Sequence, residues 1–146
     1  MVIAKTCKNV SPQQAKDVIA GYTVALDMTD RDKQLELKKK GYPWSVAKGF
    51  DTSCAIGDFI PQSKLQRDIQ SLDIWLKVNG EIKQNGNTRD MLFPVADLIS
   101  FISEIFTLEP GDLILTGTPA GVGPVKPGDI ITAGIQDLPD IEFKVQ

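Results

Sequence analysis

The sequence predicts an α+β domain that is mainly β, with antiparallel or mixed sheets. Several short apolar stretches are bounded by turn residues, only two or three stretches carry helical signals, and the two kinds do not alternate as strand–helix–strand repeats. The chain has 146 residues, of which 42% are hydrophobic and 24% are charged, which suffices for one domain with a core. No linker or internal repeat divides it, so we expect residues 1–146 to form a single domain.

Three stretches carry the signals of helices. Ser11-Pro12-Gln13-Gln14 has a capping serine, a proline at the first helical position and a glutamine three residues after the cap, and Gly21 is predicted to end this helix. Polar Asp30–Lys40, closed by Gly41, predicts either a mobile lid or, more commonly, a surface helix. Phe93–Phe106 has the best amphipathic pattern, and its apolar side chains are expected in the core: Leu98, Ile99, Phe101, Ile102 and Ile105.

Apolar stretches bounded by turns predict the strands. The clearest is the alternating stretch Leu72–Val78, because the Asn79-Gly80 that follows it favours the two-residue type I′ turn of a hairpin, with Glu81–Gln84 as the return strand. Further strands are predicted at the remaining apolar stretches: Tyr22–Leu26, Leu113–Leu115, Ile130–Ile135 and Ile141–Val145.

Composition excludes several classes of function. The net charge of −3 comes without a basic patch, so we expect no nucleic-acid partner. No apolar run reaches membrane-spanning length, so we expect no membrane insertion, and Met1–Thr6 has the pattern of neither a signal peptide nor a transit peptide. Cys7 and Cys54 lack CxxC spacing and are expected as reduced, partly buried thiols. The chain has no histidine, so chemistry within it must use carboxylates, lysine, amides and hydroxyls rather than a Ser-His-Asp or Cys-His system.

The stretch Gly21–Gln34 is the first candidate site. It begins as an apolar strand and ends in polar residues, so Asp27, at the end of the strand, lies on a rigid element and is suited to hold a metal or a substrate. Arg31 and Gln34 follow Asp27 at spacings of four and seven, on one face of a helical turn. The three side chains are therefore expected to converge on one pocket.

Three more residues leave two interpretations open. Lys48, among apolar residues and Gly49, is either partly buried at a site or extends to water, and the local sequence favours the second. Trp44, in a loop, is more commonly a packing anchor than a binding residue. In the Gly/Pro-rich loop of residues 116–124, the Thr118 hydroxyl and nearby exposed backbone can bind a carboxylate or phosphate, although such a loop is more commonly structural.

Together these pieces resemble the fumarylacetoacetate hydrolase family. The motifs occur in order along nearly the whole chain: Gly21–Gln34, Lys48–Thr52, Trp75–Glu81 and Leu108–Gly123. Within them, Asp27-Met28-Thr29, together with the stretch Lys38–Trp44, is most similar to the small single-domain branch. That branch comprises the acylpyruvases, also described as oxaloacetate tautomerases and oxaloacetate decarboxylases.

The resemblance implies a fold and a set of residue roles. The fold would be the mixed β-roll or sandwich of the fumarylacetoacetase C-terminal domain, usually in a homodimer. A Mg²⁺ or Mn²⁺ ion would be held by three carboxylates, one of which matches Asp27. Lys48 matches the active-site lysine, and Thr118 matches the threonine that contacts the substrate carboxylate. Arg31 and Gln34 match substrate-facing positions. These roles reverse the local preferences for Lys48 and Thr118.

The implied substrates are small 2-oxo and 2,4-dioxo acids. Hydrolysis of an acylpyruvate, decarboxylation of oxaloacetate and the keto–enol exchange of oxaloacetate all pass through a pyruvate-like enolate, which a divalent cation and a lysine would stabilise. Because the enolate is shared, the sequence does not separate the three reactions.

Relatives in this branch are often mitochondrial, so the resemblance implies a mitochondrial location, with the cytosol as the alternative.

Two carboxylates of the implied metal site have no match in the chain. The family carries them in a Glu-x-Glu motif on a strand whose tail resembles Met1–Lys5, so the motif would lie just before Met1, and the His-x-x-Glu pair of the hydrolases further upstream. We therefore hypothesise an N-terminally truncated form that lacks the first strands. Such a chain is expected to bind Mg²⁺ poorly and to show no Mg²⁺-dependent oxaloacetate turnover. The alternative function is a catalytically dead isoform that keeps only the fold or dimerisation.

Overall fold

The structure is a computed structural model that describes every residue from Met1 to Gln146. It contains three α-helices: α1 (Arg31–Lys40), α2 (Ser45–Lys48) and α3 (Val95–Ile105). Nine strands complete it: β1 (Val2–Ile3), β2 (Ile19–Tyr22), β3 (Ala25–Asp27), β4 (Cys54–Ile56), β5 (Ile60–Pro61), β6 (Asp73–Val78), β7 (Glu81–Asn87), β8 (Ile130–Ile135) and β9 (Ile141–Lys144). None of the helices is long and apolar enough to cross a membrane.

Three antiparallel sheets organise these strands. β1, β2 and β5 form one sheet with β2 in the middle, β3 pairs only with β4, and the largest sheet has the order β7–β6–β8–β9. The α+β, mainly β class is thereby confirmed. One hydrophobic core joins the sheets and includes Ile3 from β1, Leu26 from β3 and Ile131 from β8. The small β3–β4 pair is therefore attached to the core through Leu26 while its end, Asp27, is exposed.

The hairpin prediction is confirmed. Asn79 and Gly80 both have positive φ angles, 51° and 80°, as a type I′ turn requires. β7 continues to Asn87 instead of ending at Gln84, and it pairs with β6 along its length except at a register shift between Leu76 and Lys77. In this ladder Gln84 lies opposite Leu76, so the two side chains project from the same face of the sheet.

The predicted strand Tyr22–Leu26 is wrong as a single element, because the chain leaves β2 and enters β3 across residues 23–24. The preceding helix is a 3₁₀ helix, Pro12–Val18, and Gly21 lies beyond its end, inside β2. A Cβ at Gly21 would come within 2.1 Å of the carbonyl oxygen of Ile60 on β5. The glycine therefore permits close approach of β5 and does not act as a helix terminator.

The predicted strand Leu113–Leu115 is also wrong, since this segment makes a single bridge, between Leu113 and Val2. On either side of the bridge, the N–H of Ile3 donates to the carbonyl of Asp112 and the N–H of Ile114 donates to the carbonyl of Met1, both at 2.9 Å. The segment is anchored on β1, which is too short to extend a ladder along it.

The prediction of α1 is confirmed by both of its caps. The Asp30 side chain accepts a hydrogen bond from the N–H of Lys33 at 3.0 Å, and Gly41 closes the helix at a φ of 68°. Gln34 is the only buried residue of α1, so α1 is a surface helix.

Trp44, which precedes α2, is 45% exposed, so the prediction that it is a packing anchor is wrong.

α3 buries only a narrow strip of its surface. Ile99 and Ser103 are fully buried, and the Ser103 hydroxyl oxygen accepts a hydrogen bond from the N–H of Val10 at 2.8 Å. Phe101 is 63% exposed and Ile105 is 56% exposed, so the prediction that they belong to the core is wrong. The apolar pattern of this helix is wider than the surface against which the helix packs, which leaves an apolar outer face.

Candidate active site

Asp27 and Lys48 form an ion pair at the end of β3. The Lys48 ammonium lies 2.8 Å from Asp27 Oδ2 and donates a second hydrogen bond to the Thr29 hydroxyl, also at 2.8 Å. The Asp27 and Lys48 side chains keep 46% and 34% of their exposure, so the pair contributes at most about 1 kcal/mol to stability. Because an ammonium has three N–H donors, one N–H of Lys48 is left for a ligand.

Short contacts through Ser53 fix the position of this pair. The N–H of Met28, the residue after Asp27, donates to the carbonyl of Ser53 at 2.8 Å. The buried Ser53 hydroxyl donates in turn to the carbonyl of Lys48 at 2.7 Å, at the end of α2. Ser53 therefore connects the strand that carries the carboxylate with the helix that carries the ammonium. Cys54, the next residue, lies opposite Asp27 in the β3–β4 ladder and is exposed, so the prediction that it is partly buried is wrong.

Arg31 and Gln34 lie on the first turn of α1 and bond to each other. The Arg31 guanidinium donates to Gln34 Oε1, and Gln34 is only 8% exposed whereas Arg31 is exposed. Asp30, which caps the helix, donates its N–H to the carbonyl of Ala47 at 3.0 Å, so α1 begins beside the residue that precedes Lys48. One continuous segment, residues 27–34, therefore carries the Asp27 carboxylate and the Arg31–Gln34 pair.

The outer face of α1 carries a separate ion-pair network. Glu36 accepts from Lys33 at 2.9 Å and from Lys40 at 2.7 Å. Hydrogen bonds from these two lysines lower the pKa of Glu36 to about 2, and the bond to Glu36 raises the pKa of Lys33. These groups form no hydrogen bond or ion pair with Asp27, Arg31 or Lys48. Lys33 is therefore an exposed, ion-paired lysine outside the candidate site.

Thr118 lies on the loop of residues 116–124, which is held by β7. The buried Gln84 side chain donates from Nε2 to the Thr118 hydroxyl oxygen at 2.9 Å and to the Pro119 carbonyl at 2.7 Å. Gly121 approaches the same strand so closely that a Cβ would lie 1.9 Å from the carbonyl oxygen of Lys83. The conformation of the loop is therefore set by its contact with β7.

A cavity of about 360 Å³ adjoins Thr118. Its lining is mostly apolar, with Thr23, Asp90 and Thr118 among the polar groups. The other four predicted site residues, Asp27, Arg31, Gln34 and Lys48, do not line it. The structure thus brings Asp27 together with Lys48 and Arg31 together with Gln34, and it places Thr118 at a cavity next to β7.

Three polar residues that shape these contacts were missed by sequence reasoning alone: Thr29, Ser53 and Gln84. Thr29 belongs to the Asp27-Met28-Thr29 motif, and its hydroxyl, two residues after a candidate site carboxylate, was a signal that could have identified it. Gln84 faces the same side as Leu76, so an amide at an apolar position of the hairpin was a usable signal. No local pattern marks Ser53, because its partners come from two separate elements.

The residues of this chain do not by themselves fit a divalent cation. No group of three Asp, Glu, Cys or His side chains is placed to hold a metal. Mg²⁺ and similar hard cations take about six oxygen ligands, whereas Asp27 offers one carboxylate, and its Oδ2 is bonded to the Lys48 ammonium. The chemical type of Asp27 suits such a cation, but the number of donors around it does not.

Comparison with known proteins agrees with the motifs. The family model for the C-terminal domain of fumarylacetoacetate (FAA) hydrolase matches residues 1–146. The chain is 51% identical over 146 residues to the mitochondrial oxaloacetate decarboxylase of Dictyostelium discoideum, with 99% of the chain and 66% of that protein covered. It is also 51% identical to the human mitochondrial oxaloacetate tautomerase FAHD1, with 100% of the chain and 66% of that protein covered. The chain thus spans less than two thirds of the length of these relatives.

Solved structures give the same result. The fumarylpyruvate hydrolase of Pseudomonas aeruginosa, in complex with Mn²⁺ and pyruvate, matches with a TM-score of 0.95 and 37% identity, over 99% of this chain and 61% of that one. The maleylpyruvate hydrolase of Sphingobium sp. SYK-6 matches with a TM-score of 0.88 and 36% identity, over 99% of this chain and 50% of that one. By sequence and by fold, the chain belongs to the fumarylacetoacetate hydrolase family.

Proposed function

We propose that this chain is the part of an enzyme that binds small 2-oxo and 2,4-dioxo acids and stabilises their enolate, the enzyme being an acylpyruvate hydrolase, an oxaloacetate tautomerase or an oxaloacetate decarboxylase whose remaining metal donors lie outside the chain. The observation that carries the proposal is the Lys48 ammonium, held 2.8 Å from Asp27 at a strand end with one N–H unused. The names of the relatives support it, because an oxaloacetate decarboxylase, an oxaloacetate tautomerase and hydrolases of acylpyruvates are among them.

The proposed roles follow from the chemistry of each side chain. The three reactions share a step in which negative charge develops on the 2-oxo oxygen, and a fixed ammonium beside that oxygen lowers the energy of the developing enolate. The free N–H of Lys48 is assigned to that oxygen. Arg31, Gln34 and Thr118 are assigned to the substrate, with the Arg31 guanidinium and the Thr118 hydroxyl as donors to its carboxylate.

Asp27 is proposed as one ligand of a divalent cation, Mg²⁺ or Mn²⁺. Support comes from the acidic side chain itself and from the relative whose structure contains Mn²⁺ and pyruvate. A bound cation would supply Lewis acidity toward the two adjacent oxygens of a 2-oxo acid. The remaining donors are proposed to come from outside this chain, since Asp27 has no second carboxylate beside it.

Titration with pyruvate tests whether the chain recognises a 2-oxo acid. We expect saturable shifts in the ¹H–¹⁵N NMR spectrum of the 146-residue chain at the amides of residues 27–34, Lys48 and Thr118, because the carboxylate and the 2-oxo oxygen contact these residues. Acetate is the matched control, with the same charge and no 2-oxo group, and is expected to bind about tenfold more weakly. Equal shifts with both anions, or shifts confined to other surfaces, would contradict the proposal.

The products distinguish the three reactions. Oxaloacetate decarboxylation yields pyruvate and CO₂, tautomerisation converts the enol form to the keto form without loss of carbon, and hydrolysis of acetylpyruvate yields pyruvate and acetate. A panel of enol-oxaloacetate, keto-oxaloacetate and acetylpyruvate therefore identifies, by the product formed, which of the three reactions the enzyme catalyses. The non-catalytic alternative, a chain that keeps the fold or dimer surface only, gains no support from the relatives, whose names describe enzymes.

We further propose a homodimer that uses the outer face of α3. Phe101 and Ile105 on α3 are 63% and 56% exposed and Phe106, just after the helix, is 62% exposed, and their burial in a dimer would remove apolar surface from water. Phe101→Asp is expected to shift the chain toward the monomer in sedimentation equilibrium. A wild-type chain that sediments as a monomer at high concentration would contradict the dimer.

A mitochondrial location is proposed from the names of the relatives, with the cytosol as the alternative.

A further inference from the structure

We infer that Gln84 is a positioning residue that holds the Thr118 hydroxyl as a hydrogen-bond donor toward a bound carboxylate. The inference rests on the proposed function, in which Thr118 binds the carboxylate of a 2-oxo acid. Gln84 lies on β7, is 8% exposed and has no other assigned role. It would act on the ligand only through Thr118.

The orientation of the Gln84 amide follows from its second partner. The Pro119 carbonyl can only accept a hydrogen bond, and it lies 2.7 Å from Gln84 Nε2. A flipped amide would bring two acceptor oxygens together, so nitrogen must face this carbonyl. The same nitrogen lies 2.9 Å from Thr118 Oγ1, which therefore accepts its hydrogen bond.

The orientation of the Thr118 hydroxyl follows from that of the amide. A hydroxyl has one proton to donate, and here its oxygen already accepts from Gln84. No protein group in the structure receives the Thr118 proton, and Thr118 is exposed at the edge of the cavity described above. A carboxylate only accepts hydrogen bonds, so it is the ligand group that this arrangement favours.

Packing keeps Thr118 within reach of the amide. A Cβ at Gly121 would lie 1.9 Å from the Lys83 carbonyl oxygen, and a Cβ at Gly86 would lie 2.9 Å from the Pro119 side chain. The loop thus contacts β7 on both sides of Gln84, closely enough that a side chain at either glycine would force its neighbour to shift. The hydrogen bonds of Gln84 therefore act on a loop whose distance from the strand is already fixed.

A double-mutant cycle on the 146-residue chain tests the inference, with the pyruvate dissociation constant from NMR titration as the readout. Gln84→Met keeps the length of the side chain and removes its donor, and Thr118→Val keeps the shape and removes the hydroxyl. We expect Gln84→Met to weaken pyruvate binding about tenfold in the presence of Thr118. In the Thr118→Val background it should change binding by less than about twofold, because the group through which it acts is gone.

Gln84→Glu adds a pH readout that a purely structural role would not produce. Above the pKa of the new carboxyl, the carboxylate would accept a hydrogen bond from the Thr118 hydroxyl and leave the hydroxyl oxygen facing the ligand. Below that pKa, the protonated carboxyl can donate to Thr118 again. Pyruvate affinity of this variant should therefore recover in part as pH falls, with a step that the Thr118→Val chain lacks.

The side-chain amide NMR signal of Gln84 should also shift in the Thr118→Val chain without ligand.

The outcomes separate this inference from the proposed function. If Thr118→Val leaves pyruvate affinity unchanged, Thr118 is not part of the ligand site and the proposed role of Thr118 fails. If Thr118→Val weakens binding but Gln84→Met does not, the inference alone is overturned. Equal effects of Gln84→Met in both backgrounds would also overturn it, because they would show that Gln84 only braces the loop through Pro119. Thr118→Ser, which keeps the hydroxyl, should retain the dependence on Gln84.

Discussion

Mn²⁺ affinity is expected to rise about 100-fold when the chain is joined to the part of the Dictyostelium oxaloacetate decarboxylase that lies outside the matched region, because affinity for hard cations depends on the number of charged oxygen ligands. The chain alone offers the Asp27 carboxylate, which is shared with an ammonium 2.8 Å away. We propose that two further carboxylates belong to the added part. Loss of the free Mn²⁺ signal in electron paramagnetic resonance measures the affinity without any need for turnover.

The control for this experiment is Asp27→Asn in the joined protein. It keeps the size of the side chain and removes its charge, so most of the gained affinity should disappear if Asp27 completes the site. The joined protein should also show Mg²⁺- or Mn²⁺-dependent oxaloacetate turnover, whereas the 146-residue chain alone should show none with millimolar metal. Tight Mn²⁺ binding or metal-dependent turnover by the chain alone would contradict the assignment of donors outside it.

Elements specified by adjacent residues were predicted well. The closure of α1 at Gly41 and the turn at Asn79-Gly80 each depend on the conformational preferences of one or two residues. The sequence contains those preferences directly. The same is true of β8 and β9, whose apolar runs are bounded by turns, and their bounds differ from the prediction by at most one residue.

Features that depend on distant contacts were not predicted. Gly21 looks like a helix terminator in sequence, and only the approach of Ile60 from β5 explains it. Phe101 has the spacing of a core residue, but α3 packs along too narrow a strip to cover it. In the site, the residues next to Lys48 favour a side chain that extends to water, because the partners of Lys48, Asp27 and Thr29, lie about twenty residues earlier in the chain. The family resemblance was needed to select Lys48 and Thr118.

Lys48→Met in the joined protein is expected to lower oxaloacetate turnover by about 100- to 1,000-fold, which is the usual cost of removing a group that stabilises a developing oxyanion. The chain should remain folded, because the exposed Lys48–Asp27 pair is worth at most about 1 kcal/mol and methionine fills a similar volume. The measurement is kcat together with KM, and most of the loss should fall on kcat, since the enolate charge develops only during the reaction.

Two further variants make the Lys48 result specific. Lys33→Met removes a lysine that is also exposed and also ion-paired, at 2.9 Å from Glu36, so its effect on turnover should stay within about twofold. Lys48→Arg keeps the charge but spreads it over a planar group that cannot direct its N–H groups like an ammonium, and intermediate activity is expected. If Lys48→Met kept more than a tenth of the turnover, or if Lys33→Met lost as much, the ammonium beside Asp27 would not be the group that stabilises the enolate. The chemistry would then have to be assigned to other residues.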